Sequence, residues 1–150
     1  MRTFFVSGHV DLSEEQFTAH YTKPLTAAMA ERAAFVVGDS QGADIMAQRY
    51  IAARSSAAEV TVYHLGSTPE CVEESSAVST RGGFATHDDK DAAMTGASDV
   101  DIAWVRSPEE QLALYGENYV TGTEKNILRR EAAQAAARLQ SNHDEKTAIK

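Results

Sequence analysis

The segment Phe35-Val36-Val37-Gly38-Asp39-Ser40-Gln41-Gly42-Ala43-Asp44 most constrains the fold of this chain, because a short apolar run ends in a glycine-bearing turn that opens directly into a helix. That order of events builds strand, turn and helix in an α/β protein. The glycines allow close backbone approach, and the free amides and positive dipole end of the following helix favour a phosphate or carboxylate. The spacing of Gly38 and Gly42 is also common in ordinary strand-to-helix turns, so the rest of the chain must decide what the turn is for.

Other segments repeat the alternation. Thr3–Ser7 reads as a first buried strand, Ala34–Val37 as a second, residues 60–64 as a third and 102–105 as a fourth. Ser13 with Gln16 forms a capping-box signature for a helix that Pro24 interrupts or restarts. After Gly42 the stripe Ala43, Met46, Ala47, Tyr50 and Ile51 has the spacing of a helix packed on a sheet. Residues 66–84, with Gly66, Pro69, Gly82 and Gly83, read as one long loop of the kind that serves as a lid or binding loop. A short helix is expected over His87–Gly96. The last is expected over 123–139, with Ile127, Leu128, Ala132, Ala135, Ala136 and Leu139 on its packed side. Strands alternating with helices predict a Rossmann-like three-layer α/β sandwich with a mostly parallel central sheet. The expected organisation is one domain over residues 1–140 and a flexible polar tail over 141–150.

Composition narrows the partners. The 150 residues, 43% of them hydrophobic, suffice for one buried core. No apolar run approaches a membrane span and the start lacks a signal-peptide pattern, so the expectation is a soluble cytoplasmic protein with no membrane partner. Cys71 is the only cysteine, which excludes an internal disulfide and a cysteine-rich zinc site. A formal charge of −8 opposes broad contact with a nucleic-acid backbone, while a local pocket of helix ends can still hold a small anion.

Ligands of open α/β sheets bind beyond the carboxyl ends of the strands. This rule places Ser7, Gly8 and His9, then Gly38 to Gly42, then His64, then Arg106 and Ser107 on the ligand-facing edge, and Asp99 and Asp101 at the far end in capping or solvated roles. A second glycine turn, Thr121-Gly122-Thr123, again stands at a helix start, so two helix N-termini can point at one ligand. His9, His64 and His87 lack an HxxxH pair or a carboxylate partner at ligand spacing, and neither a metal nor a cofactor is expected. Trp104 reads as core, and Lys125, Arg129 and Arg130 as a solvated basic patch.

The combination of GDSQGAD after the second strand, KDAAMTGASDVDIAWVR, and GTEKN opening the last helix resembles the SLOG superfamily of Rossmann-like nucleotide-binding proteins. That group includes the DprA/Smf proteins and the lonely-guy phosphoribohydrolases, and the likeness is greatest to its small uncharacterised members with a GGARGAD-type turn. The resemblance covers roughly residues 3–135. It implies that Gly38, Gly42 and Asp44 form the glycine turn and its acidic residue, that Lys90, Asp91 and Met94 lie near the ligand, and that Gly122 and Thr123 bind phosphate. It also implies a homodimer as one expected assembly. Hydrolytic members carry a glutamate three residues after the threonine; here that position is Asn126, an amide that cannot act as a base. The expected function is therefore binding of a nucleotide or an ADP-ribose-like ligand, as in a sensor, through Ser7, Gly8, His9, Gly38, Asp39, Ser40, Gly42, Asp44, Lys90, Met94, Gly122, Thr123 and Asn126. The competing expectation is an N-glycosidic hydrolase or a phosphoribosyl or deoxyribosyl transferase, with Asp39, Asp44 or Glu124 in place of the missing glutamate.

Overall fold

A computed structural model describes residues 1–148. Five strands form one all-parallel sheet: β1 (Thr3–Ser7), β2 (Ala34–Val37), β3 (Glu59–Leu65), β4 (Val78–Phe84) and β5 (Val100–Ala103), in the order β4-β3-β2-β1-β5. Six helices accompany them: α1 (Glu14–His20), α2 (Thr22–Ala30), α3 (Ala43–Arg54), α4 (His87–Gly96), α5 (Pro108–Tyr115) and α6 (Gly122–Ala148). The expected three-layer α/β sandwich is the architecture observed.

Side chains alternate across the strands, so each strand feeds two cores. Phe4, Val6, Phe35, Val37, Val60 and Val62 point to one face and meet Phe17, Tyr21, Leu25, Ala47 and Ile51 of α1, α2 and α3. Phe5, Val36 and Tyr63 point to the other and meet Met94 of α4. The second core is much the smaller, and polar attachments take over there.

The capping box at Ser13 and Gln16 starts α1 as expected, but the break falls at Tyr21, which ends α1 and precedes α2. Pro24 then sits in the first turn of α2, where a missing amide costs nothing.

Four boundaries differ from expectation. Residues 66–84 are not one loop: 66–77 connect, and Val78–Phe84 add a parallel edge strand beside β3. Its polar Ser79, Thr80, Arg81, Gly82 and Gly83 are exposed and give no buried-strand pattern. The connection is tied down from α3, where the buried Gln48 amide donates to the Gly38 and Cys71 carbonyls and accepts from the Glu73 amide. The strand expected at 102–105 starts at Val100 and ends at Ala103, which leaves half-buried Trp104 beyond it, stacked on His20 with ring centroids 4.1 Å apart. The unexpected α5 begins with Ser107 accepting from the Glu110 amide and with Pro108 at its first position. Finally α6 extends to Ala148, well past Leu139, through most of the segment expected to be a tail; residues 149 and 150 lie outside the described residues.

The packed side of α6 also differs. Thr123, Asn126 and Arg130 are buried, whereas Leu128 and Leu139 are 58% and 71% exposed. Arg130, expected in a solvated patch, donates to the Thr95 and Ser98 carbonyls and to Ser98 Oγ, and pairs with Asp101 at 3.2 Å. Burial pushes the Asp101 carboxyl up and Arg130 opposes the rise. Removing one partner of such a pair leaves an uncompensated charge. Arg130→Ala should therefore destabilise the protein by about 3 kcal/mol in urea denaturation, against less than about 0.5 kcal/mol for the exposed Lys125→Ala.

Candidate functional site

With β2 on one side of β1 and β5 on the other, the chain leaves neighbouring strands in opposite directions at β1 and β5, which opens a crevice at their carboxyl ends. The crevice is a cleft of about 310 Å³. Phe5, Ser7 and Gly8 line it from β1 and the turn after it, and Gly38, Ser40 and Asp44 from the β2–α3 turn. His87, Lys90, Asp91 and Met94 come from α4, and Thr121, Gly122, Thr123 and Asn126 from the start of α6; His9, Val10, Tyr115 and Tyr119 complete the lining. The two glycine turns thus share one cleft.

Not every expected residue faces it. Gly42 is off the lining and supports it instead. Its φ of +73° is a left-handed conformation, and a Cβ there would run into the backbone of His9 and Val10, whose loop also receives the Ala43 amide on the His9 carbonyl. Valine at Gly42 would therefore break the loop rather than selectively block a ligand, contrary to the sequence-based expectation of a ligand contact. Gly42→Ala should cost about 2 kcal/mol in urea denaturation, while Gly122→Ala, whose Cβ would meet open space, should cost nothing.

Asp39, expected in the site, turns away from it. Its Oδ2 accepts from the Glu70 amide at 2.7 Å and its carbonyl from the Cys71 amide, so it pins the 66–77 connection. Glu124 accepts from the Thr121 hydroxyl, which in turn accepts from the Glu124 amide; this carboxylate is a cap at the α6 start, outside the cleft lining. His64 packs at the β3–β4 edge with Nδ1 against the Leu65 carbonyl. Arg106 is buried between Asp11, at 2.9 Å, and the Tyr115 hydroxyl, at 2.8 Å, so it fastens α5 to the β1–α1 loop, and Ser107 caps α5. Asp99 accepts from the Thr3 amide at the opposite end of the sheet, as the strand rule implies.

Sequence reasoning missed Phe5, Val10, Tyr115 and Tyr119 on the lining. The tyrosines belong to α5 and the turn after it, for which the only early signal was the Ser-Pro-Glu-Glu start of that helix.

Electrostatics concentrate on one wall. Lys90 is 3% exposed, yet its Nζ stands 3.8 Å from Asp39 and 3.9 Å from Asp91, longer than hydrogen bonds. Asn126 accepts from Arg129 at 2.7 Å, and Arg129 also reaches Asp88 at 3.1 Å. A polar chain therefore joins α4 to α6 along the cleft. His9 Nε2 accepts from the Arg106 amide, and burial, aided by the Arg106 charge, lowers its pKa, so it stands as a neutral imidazole.

Asp44 accepts from the Ser40 amide at 3.1 Å and is otherwise surrounded by protein except toward the cleft. Burial pushes its carboxyl up from 3.8 to about 7, with the Ser40 amide and Lys90 opposing and Asp91 and Asp39 adding to the rise. The folded state then holds a proton that the unfolded chain has lost between those two values. This contribution to stability is unchanged below about pH 4, declines as pH rises toward 7 and levels off above it. Urea midpoints of the protein should fall across that window, and Asp44→Asn should remove most of the fall.

Among the described residues no cluster of three histidine, cysteine or acidic side chains is placed to hold a metal ion, and no helix is long and apolar enough to cross a membrane. Neither family models, nor curated proteins, nor solved structures match this chain.

Proposed function

We propose that the cleft binds a phosphorylated nucleoside of mononucleotide size, in keeping with the SLOG-like motifs. The observation that carries this reading is the meeting of a buried ammonium at Lys90, held beyond hydrogen-bond distance of its carboxylates, with the first turn of α6 in the same cleft. The Glu124 amide is already satisfied by the Thr121 hydroxyl, so the amides of Gly122 and Thr123, which have no partner earlier in the helix, are the donors left for a phosphate. Asp44 and Asp91 suit a different part of the molecule: carboxyl groups accept hydrogen bonds from ribose hydroxyls. Phe5, Met94 and the rim tyrosines, with Tyr115 and Tyr119 ring centroids 5.0 Å apart, supply apolar and aromatic surface for a base. The volume lies at the small end of ligand pockets, roughly 300–1,000 Å³, which favours a single nucleotide over an ADP-ribose-like ligand.

One observation supports a second reading as an N-glycosidic hydrolase or a pentosyl transferase. A carboxyl titrating near 7, as at Asp44, suits general acid catalysis at neutral pH. Against it stands Asn126, an amide that cannot act as a base and whose oxygen already accepts from Arg129.

Thermal-shift measurements with nucleoside monophosphates, unphosphorylated nucleosides and ADP-ribose separate the outcomes. A monophosphate at one hundred times its Kd should stabilise the fold by about 2.7 kcal/mol. Gly122→Asp should abolish the shift without lowering the unliganded midpoint, because an acidic residue suits a helix first turn yet repels phosphate. No shift with any member of the panel sinks the binding reading. Steady release of free base, followed by chromatography and lost in Asp44→Asn, replaces it with the hydrolase.

A further inference from the structure

The 27-residue α6 is about 40 Å long, yet its buried residues, Thr123, Asn126 and Arg130, all belong to its first nine positions. At 3.6 residues per turn those three side chains share one face, and Leu128, Ala132, Ala135 and Leu139 share the opposite one, about 180° away. Leu128, Ala132 and Leu139 are exposed and Ala135 half-buried. Their spacing of four, three and four is that of a two-stranded helical seam.

The order Leu-Ala-Ala-Leu is a palindrome about the point between residues 133 and 134. We infer that this face is a two-fold interface in which α6 packs antiparallel against α6 of a second copy of the chain. A two-fold contact demands self-complementarity, and the palindrome supplies it. Leu128 then meets Leu139 of the partner subunit, Ala132 meets Ala135 of the partner subunit, and the central alanines let the helices approach closely. The flanking charges agree with the antiparallel direction. Glu131 and Arg138 both lie on the same flank of the seam, seven residues apart, too far to pair within one helix, and neither forms an ion pair among the described residues. In an antiparallel pair same-flank residues meet, so Glu131 faces Arg138 of the partner subunit, twice by symmetry; a parallel pair would set Glu131 opposite an alanine instead.

The inference is independent of the ligand, since the seam is on the side of α6 away from the cleft. Sedimentation of the full chain from about 1 μM to about 1 mM covers the range suited to so short an interface and should show reversible doubling of mass. Leu139→Asp should weaken the dimer by roughly 10²-fold or more, because the side chain enters the interface twice. Its dilute thermal midpoint should match that of the unaltered protein, since Leu139 is 71% exposed in the protomer. Glu131→Arg and Arg138→Glu should each weaken association by about tenfold, and the double reversal should restore it. A monomer throughout the range, a dimer indifferent to Leu139→Asp, or charge reversals that add instead of compensating would each overturn the inference.

Discussion

The hydroxyl of Tyr21 ties together the two strands between which the cleft opens. It donates to the Ser7 carbonyl at 2.7 Å and accepts from the Trp104 amide at 3.0 Å, so one buried phenol satisfies backbone groups at the last residue of β1 and just past β5, where the ladder between them ends. Burial raises its pKa to about 12, which keeps the proton on the oxygen that must donate. The ring reaches this place because Gly8 has no side chain: a Cβ there would strike the Tyr21 hydroxyl and the Ala43 methyl. The same loop receives the Ala43 amide on the His9 carbonyl and the Arg106 amide on His9 Nε2. The starts of α3 and α5 and the mouth of the cleft are thus referenced to one short turn.

The two sides of the sheet do different work. The α1, α2 and α3 side holds the extended aromatic and aliphatic core, whereas the α4 and α6 side holds Phe5, Val36, Tyr63 and Met94 and is otherwise joined by Arg130, Asn126, Arg129 and their partners. Burying charge there costs desolvation that apolar packing would not. The raised carboxyls of Asp91 and Asp101 express that cost, as does that of Asp44 at the α3 start beside Lys90. At Asp101 a close guanidinium offsets it structurally. At Asp44 and Lys90 the groups face an open cleft, where a ligand able to exchange hydrogen bonds with both can offset it instead.

Much of the fold was legible because local chemistry and tertiary environment agreed. β1, β2 and β3 are buried on both faces and read as apolar runs; α1 carries its own capping box; α3 follows its glycine turn. Reading failed where the local signal was weak or pointed elsewhere. β4 is an exposed edge strand held by backbone bonding to β3, so its serines and glycines carry no hydrophobic period. In α6 the apolar stripe is real, yet the domain binds the polar face, because a buried arginine finds three carbonyl and carboxylate acceptors at Thr95, Ser98 and Asp101. Of the cleft, Ser7, Gly8, Gly38, Gly122 and Thr123 could be placed from strand ends and helix starts alone and Asp44 and Lys90 only through the motif resemblance, whereas Asp39 and Glu124 could not be told from ligand-facing acids until their amide and hydroxyl partners were seen.

By itself the sequence determined the alternation of strands and helices, the parallel sheet that follows from it, and the edge on which the glycine turns must lie, since those depend on hydrophobic period and turn chemistry within a few residues. Only the tertiary structure decided the strand order, the turning of Asp39 and Glu124 into backbone and capping partners, the burial of Arg130, and the titration of Asp44. Each of these depends on what a side chain meets from elsewhere in the chain, and desolvation and hydrogen-bond satisfaction are properties of that meeting rather than of the residue.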